Sequence, residues 1–159
     1  MWSIISTIFP YAIAYAMPLL ITSLGGLFSE RSGVVNIGLE GLMVFGGFLS
    51  AIFAATLYPH LGTTALWLSL IVAMIGGALF SLLHAFASVN LKADQVISGT
   101  AINMIAAAIT VYFARIITGS GNVRIRMSLP RFDIPLLVKI PVIGKLFFRQ
   151  TYGTTWLIL

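Results

Sequence analysis

The chain has 159 residues, of which 59% are hydrophobic and 8% are charged, with a formal net charge of +5. A soluble domain carries about 25% charged residues because its surface faces water, so lipid must be the solvent for most of this chain. Cysteine is absent, which excludes disulfides, thiolate metal ligands and cysteine nucleophiles. The basic residues lie between apolar stretches rather than in one patch, which argues against nucleic acid as a partner.

Four apolar stretches are long enough to cross a bilayer as helices, which takes about 20 residues each. They cover residues 4–28, 34–57, 65–87 and 96–117. The first contains Pro10 and Pro18, and the second contains one acid, Glu40. Polar residues, proline and glycine mark the turns between them, including a predicted turn over 58–62. No basic residue precedes the first stretch, which therefore predicts a retained helix rather than a cleaved signal peptide.

The chain beyond the fourth stretch has a different composition. Residues 118–150 hold six of the nine Lys and Arg residues and predict a long loop, with 134–138 and 142–148 expected on the membrane surface. Residues 151–159 begin a fifth apolar segment that stops after about half a span, so a further segment is expected beyond Leu159. The sequence thus predicts an all-α integral membrane protein. Its polytopic bundle would contain four complete transmembrane helices and the start of a fifth, in one domain over 1–159.

Small residues recur along the predicted helices at intervals that suit close packing. The third helix carries them every four residues, at Ser69, Ala73, Gly77, Ser81 and Ala85. The second helix has a looser series at Gly38, Gly46, Ser50 and Ala54. In lipid, close contact between helices depends on such stripes, because leucine gains little by leaving lipid for another leucine. We interpret both series as helix-packing surfaces rather than as a groove for a cofactor.

Asn36 and Glu40 are the first candidates for a functional role. They are four residues apart, so on a continuous helix they would share one face. Glu40 lies about six residues, or about 9 Å, inside the apolar stretch. An ionisable group at that depth costs a few kcal/mol, so it should face protein or a water-filled path. It either lines a substrate route or is a structural acid at a broken helix start, and the sequence leaves both interpretations open.

Asn103 lies about seven residues inside the fourth helix, where it could contact substrate or form an interhelical hydrogen bond worth about 0.6–2 kcal/mol. His60 and His84 have no partner at metal-ligand spacing, so we predict no metal site. We find no nucleophile–base pair, paired carboxylates, GxGxxG or Walker pattern. The sequence therefore predicts a protein that moves or holds a substrate and is not an enzyme.

Two stretches resemble a known family. The run from Gly25 to Met43 contains ERSGVVNIGLEGLM, and residues 91–103 read LKADQVISGTAIN. Both are similar to the membrane permease subunits of ABC importers for nucleosides, within a group that also serves ribose and other simple sugars. The resemblance covers essentially the whole chain. It implies a multi-pass permease subunit of a bacterial plasma (inner) membrane that forms part of a translocation path for nucleosides.

The resemblance also implies partners. These are an ATP-binding cassette subunit, a second permease subunit and a substrate-binding lipoprotein or periplasmic receptor, besides membrane lipid. ATP would be used by the partner subunit, and this chain would bind no cofactor.

The family topology places the long basic loop outside the cell, whereas the count of basic residues alone predicts that it is cytoplasmic. We follow the family topology.

A nucleoside is neutral and carries hydroxyls and base edges that form hydrogen bonds, which a sparse polar set suits better than a ring of charges. We therefore expect Asn36 and Glu40 to line or gate the path and Asn103 to support it. The alternatives are a ribose-type sugar permease, which would share these residues, and a truncated membrane subunit that transports nothing.

Overall fold

The computed structural model describes residues 2–132, 137, 139–140, 146, 148 and 151–152. In chain order the elements are α1 (Trp2–Arg31), α2 (Leu39–Leu61), α3 (Thr63–Ala85), a π-helical turn (Phe86–Asn90), α4 (Gln95–Thr118), β1 (Arg131–Phe132) and β2 (Thr151–Tyr152). Four helices in the described residues are long and apolar enough to cross a membrane. The predicted helical membrane architecture is thus confirmed for this part of the chain.

The backbone divides into two compact units, one formed by 1–23 with 129–159 and the other by 24–128. In the first unit, the guanidinium carbon of Arg131 lies 4.7 Å from the centre of the Tyr11 ring. A guanidinium nitrogen of Arg131 also donates a hydrogen bond of 3.1 Å to the Tyr11 hydroxyl. A charged residue of the long loop is therefore held by the face and the hydroxyl of one aromatic side chain.

The first unit also contains the small sheet. Strand β1 pairs antiparallel with β2, so that Arg131 is opposite Tyr152 and Phe132 is opposite Thr151. The prediction of helix from residue 151 is wrong at Thr151 and Tyr152, because a β-branched and an aromatic residue suit a paired strand. The rest of that predicted helix, 153–159, lies outside the described residues. Most of the two predicted surface segments, 134–138 and 142–148, also lies outside them.

Helix α2 ends later than the sequence predicts. Proline and glycine predicted a turn over 58–62, yet the helix continues to Leu61 with Pro59 inside it. Pro59 has no N–H to donate to the carbonyl four residues earlier, so the helix continues past it with one hydrogen bond fewer. Gly62 ends the helix with a φ of 55°, and its N–H donates to the carbonyl of Tyr58 at 2.9 Å. Helix α3 begins directly afterwards at Thr63.

Helices α2 and α3 pack closely through small residues. A side chain added at Gly46 would lie 3.2 Å from the carbonyl oxygen of Ala73. The hydroxyl of Ser50 donates to that of Ser69 at 3.2 Å, and Ser69 is buried. A side-chain carbon added at Gly77 would lie 3.9 Å from the carbonyl oxygen of Leu42.

Three members of the predicted α3 stripe, Ser69, Ala73 and Gly77, therefore lie at the α2 contact. Of the other two, Ser81 is half-buried and Ala85 is exposed. In the looser α2 series, Gly46 and Ala54 are buried within the helix. Gly38 is buried too, but it precedes α2 and packs against α4. An aromatic pair reinforces the α2–α3 contact, since the rings of Phe45 and Phe80 stack with centroids 4.3 Å apart.

Candidate functional site

The chain between α1 and α2 is bent and non-helical over residues 32–38. The sequence predicted that the second helix begins at Val34, which is wrong, since α2 begins at Leu39. The side-chain oxygen of Asn36 accepts the N–H of Gly38 at 2.9 Å, a local turn that competes with helix formation. Asn36 therefore lies before the helix, and the predicted helical face shared with Glu40 does not exist.

Gln95, in the first turn of α4, holds one side of this bend. Its side-chain oxygen accepts the N–H of Val35 at 2.7 Å, and its side-chain nitrogen donates to the carbonyl of Gly33 at 3.4 Å. Irregular backbone at membrane depth is tolerated where other protein groups satisfy its hydrogen bonds. Gln95 supplies two such bonds from a residue about sixty positions away along the chain.

Asn103, two turns further along α4, holds the other side. Its side-chain oxygen accepts the N–H of Gly41 at 2.7 Å, and its side-chain nitrogen donates to the carbonyl of Ile37 at 3.1 Å. The first N–H groups of a helix have no partner within the helix, and the N-cap residue of α2, Gly38, has no side chain to supply one. Asn103 provides this cap from another helix, which supports its interhelical interpretation.

Gly99 lies between these two residues, where the backbones of α4 and the bend nearly touch. A side-chain carbon added at Gly99 would lie 2.9 Å from the backbone nitrogen of Gly38. Residues 95, 99 and 103 are four apart and so share one face of α4. We call these three residues the α4 clamp. Sequence reasoning missed Gln95 and Gly99, although they precede Asn103 by eight and four residues on one helix face, a signal that could have identified them.

Glu40 lies in the first turn of α2, and its side chain is exposed. The positive end of the helix dipole lies at this terminus and stabilises a carboxylate there by about 0.3–1 kcal/mol. Beside it is a cavity of about 300 Å³, lined by Glu40, Gly41, Val44, Asn103, Met104 and Ala107. The structure therefore brings Glu40 and Asn103 together at one cavity, whereas Asn36 is not among its lining residues.

A second polar cluster, also missed from the sequence, joins α3 to α4. His84 is 3% exposed, and its Nδ1 lies 3.0 Å from the hydroxyl of Ser98. Its Nε2 lies 3.5 Å from the hydroxyl of Ser88, within the π-helical turn. Within the described residues, no group of three or more His, Cys, Asp or Glu could hold a metal ion. His84 therefore acts as a buried link between three consecutive elements.

Four apolar helices of membrane-spanning length, with a bent, hydrogen-bonded segment beside a cavity, fit a membrane transport subunit. Residues 8–133 match the family described as the permease component of the branched-chain amino acid transport system. The chain belongs to this family. No solved structure matches the chain.

Three relatives place the chain more narrowly. It is 50% identical over 153 residues to the guanosine ABC transporter permease protein NupQ of Bacillus subtilis (strain 168), covering 96% of this chain and 48% of NupQ. It is 46% identical to the nucleoside ABC transporter permease protein NupC of Lactococcus lactis subsp. cremoris (strain MG1363), covering 87% of this chain and 44% of NupC. It is 35% identical to a Haloferax volcanii protein, TsgC13, whose name assigns it provisionally to glucose ABC transport, covering 86% of this chain and 40% of TsgC13. The chain spans about half the length of the curated relatives it matches.

Proposed function

We propose that this chain forms part of the permease subunit of an ABC importer for nucleosides in a bacterial inner membrane. The observation that carries the proposal is the 50% identity to a guanosine permease over 96% of the chain. ATP hydrolysis in a separate ATP-binding cassette subunit would drive transport. A second permease subunit and a substrate-binding lipoprotein or periplasmic receptor would complete the importer.

In this proposal Glu40 is the residue that contacts the substrate. Glu40 is exposed and lines the cavity at the start of α2, and a carboxylate accepts hydrogen bonds from the hydroxyls of a sugar. Asn103 lines the same cavity but already uses its amide to cap α2. Asn36 shapes the bend through Gly38. Asn36 and Asn103 therefore act as positioning residues that set where Glu40 lies.

Uptake of labelled guanosine tests this function. The full-length permease would be expressed with its partner subunits in cells that lack other nucleoside importers, and compared with Glu40→Gln. We expect saturable uptake that excess ribose does not inhibit and that falls about tenfold or more in the variant. Glu30→Gln is the matched control, because Glu30 is an exposed acid in the last turn of α1 and does not line the cavity. Wild-type uptake no greater than that of cells without the permease would reject the proposal.

A sugar permease is the second candidate, and the 35% identity to TsgC13 is the observation that favours it. The same uptake assay separates the two functions by competition. Strong inhibition of labelled glucose or ribose uptake by unlabelled sugar, with no guanosine uptake, would assign the chain to the sugar branch. Glu40 would remain a substrate contact in either case, because both substrates present hydroxyl groups.

A further inference from the structure

We propose that the nucleoside moves along one groove between α2 and α4, which begins at Glu40 and ends at Phe48 and Asn122. This inference rests on the proposed function and adds a second binding position to it. The first cavity, of about 300 Å³, contains Glu40 and Val44 among its lining residues. A second cavity, of about 320 Å³, has Val44, Phe48 and Asn122 among its lining residues. Because both cavities share Val44, they are adjacent parts of the same groove.

The spacing of the lining residues shows that each helix contributes one face. On α2 they include positions 40, 44, 47 and 51, and on α4 positions 103, 107, 110 and 114. Both series are spaced four, three and four, which is one stripe along a helix. Residues near the start of α2 line the first cavity with residues near the start of α4, and later residues of both helices line the second. The two helices therefore run in the same direction. The groove follows them for about 16 Å, at a rise of 1.5 Å per residue.

The two helices approach each other closely at the clamp end and leave space beside Gly47. At the clamp end, a side-chain carbon added at Gly41 would lie 2.8 Å from the side-chain oxygen of Asn103. Six residues further along α2, a side-chain carbon added at Gly47 would meet no atom of the described residues within 4 Å. The neighbouring Gly46 instead faces α3, where an added side-chain carbon would lie 3.2 Å from the carbonyl oxygen of Ala73. Gly47 therefore leaves space on the groove side of α2 without serving the α3 contact.

The chemistry of the groove matches a nucleoside better than a nucleotide or a free sugar. Glu40 is the only ionisable residue among those that line the two cavities. Its carboxylate oxygens accept hydrogen bonds from hydroxyl groups, and its negative charge repels a phosphate. At the other end, Phe48 offers a ring on which a base can stack, and the amide of Asn122 can both donate to and accept from a base edge. Each cavity is at the lower end of the range for small-molecule sites, about 300–1,000 Å³.

A further transmembrane helix is the rival occupant of this groove. Its walls include Gly47, Ala51, Ala107 and Ala114, and small residues suit close helix packing. Glu40 distinguishes the two occupants, because a helix packed over the groove would remove this carboxylate from water, which is unfavourable unless the charge is paired. A nucleoside supplies hydroxyl donors for the carboxylate, so we assign the groove to the substrate.

The test is Gly47→Leu in the full-length permease, assembled with its partner subunits. The added side chain has open space, so it should fill the groove while leaving the fold intact. We expect at least a tenfold loss of guanosine uptake with wild-type amounts of purified complex. Gly25→Leu controls for leucine at a helix position with no described residue within 4 Å of the added carbon. This control should retain uptake within about twofold of wild type.

A second variant tests the far end of the groove. Phe48→Leu removes the ring but keeps an apolar side chain, and we expect the KM for guanosine to rise several-fold with little change in the maximal rate. Wild-type uptake in Gly47→Leu would overturn the groove while leaving the importer function in place. Loss of the assembled complex in Gly47→Leu, but not in Gly25→Leu, would assign the groove to a packed helix instead. Absence of guanosine uptake by the wild-type permease would reject the importer function itself.

Discussion

The side-chain oxygen of Asn103 lies 2.7 Å from the backbone nitrogen of Gly41, and this contact joins the middle of α4 to the first turn of α2. The first N–H groups of a helix have no partner within the helix. Asn103 satisfies one of them and also bonds to the carbonyl of Ile37. The position of Glu40, one residue before Gly41, therefore depends on a residue of another helix.

We expect Asn103→Leu to lower the free energy of unfolding by about 1–3 kcal/mol, because it leaves the N–H of Gly41 and the carbonyl of Ile37 without their partner. Thermal unfolding of the purified full-length permease in detergent measures the change. Thr100→Ala is the control, since the Thr100 hydroxyl bonds only to carbonyls of its own helix. An equal loss of stability in both variants would contradict the capping role of Asn103.

Gly99→Ala tests the close approach of the two backbones at the clamp. The added carbon would lie 2.9 Å from the nitrogen of Gly38 and 3.1 Å from the side chain of Ile37, and backbone cannot move away cheaply. We expect a loss of about 1–3 kcal/mol in the free energy of unfolding, as for other overpacked sites.

The control for Gly99→Ala is Gly25→Ala, where nothing lies within 4 Å of the added carbon. An alanine inside a helix is favoured over glycine by about 0.5–1 kcal/mol, so this control should unfold at the same temperature or higher. A Gly99→Ala variant as stable as Gly25→Ala would show that α4 and the bend do not approach so closely.

The length of apolar stretches was enough to locate most of the fold from the sequence. The fourth helix was predicted over 96–117 and spans Gln95–Thr118, because the N-cap Asp94 and the C-terminal Gly119 agree with the apolar pattern. The start of α2 could not be predicted in the same way. Val34, Val35 and Ile37 before it are apolar and fit helix or extended chain equally well. Hydrogen bonds from Gln95 and Asn103, distant in sequence, decide between the two.

The candidate site was only partly predictable for the same reason. Glu40 stood out because an acid inside an apolar stretch is rare. The helical face that it seemed to share with Asn36 depended on a continuous helix, and the turn at Gly38 breaks that helix. His84 appeared isolated because its partners, Ser88 and Ser98, are ordinary serines until the fold brings them to its ring.

Ser98→Ala tests the buried link between α3 and α4. The change removes the group that lies 3.0 Å from Nδ1 of His84, a side chain only 3% exposed. A buried ring nitrogen without its partner costs about 1–3 kcal/mol, and we expect the unfolding free energy to fall by that amount. Ser81→Ala is the control, because the Ser81 hydroxyl donates only to the carbonyl of Ala78 in its own helix. Unchanged stability in Ser98→Ala would mean that the His84 contact contributes little.

Lys92 adopts a left-handed backbone conformation, with a φ of 52°, in the turn between the π-helical segment and α4. It is the only residue other than glycine with a positive φ in the described part of the chain. Asparagine tolerates this conformation, whereas a β-branched residue does not, and the difference is about 1–2 kcal/mol. We therefore expect Lys92→Val to unfold more easily than Lys92→Asn by that amount, measured by thermal unfolding in detergent. Both changes remove the same charge, so the comparison isolates the backbone. Equal stability of the two variants would show that this turn can relax into an ordinary conformation.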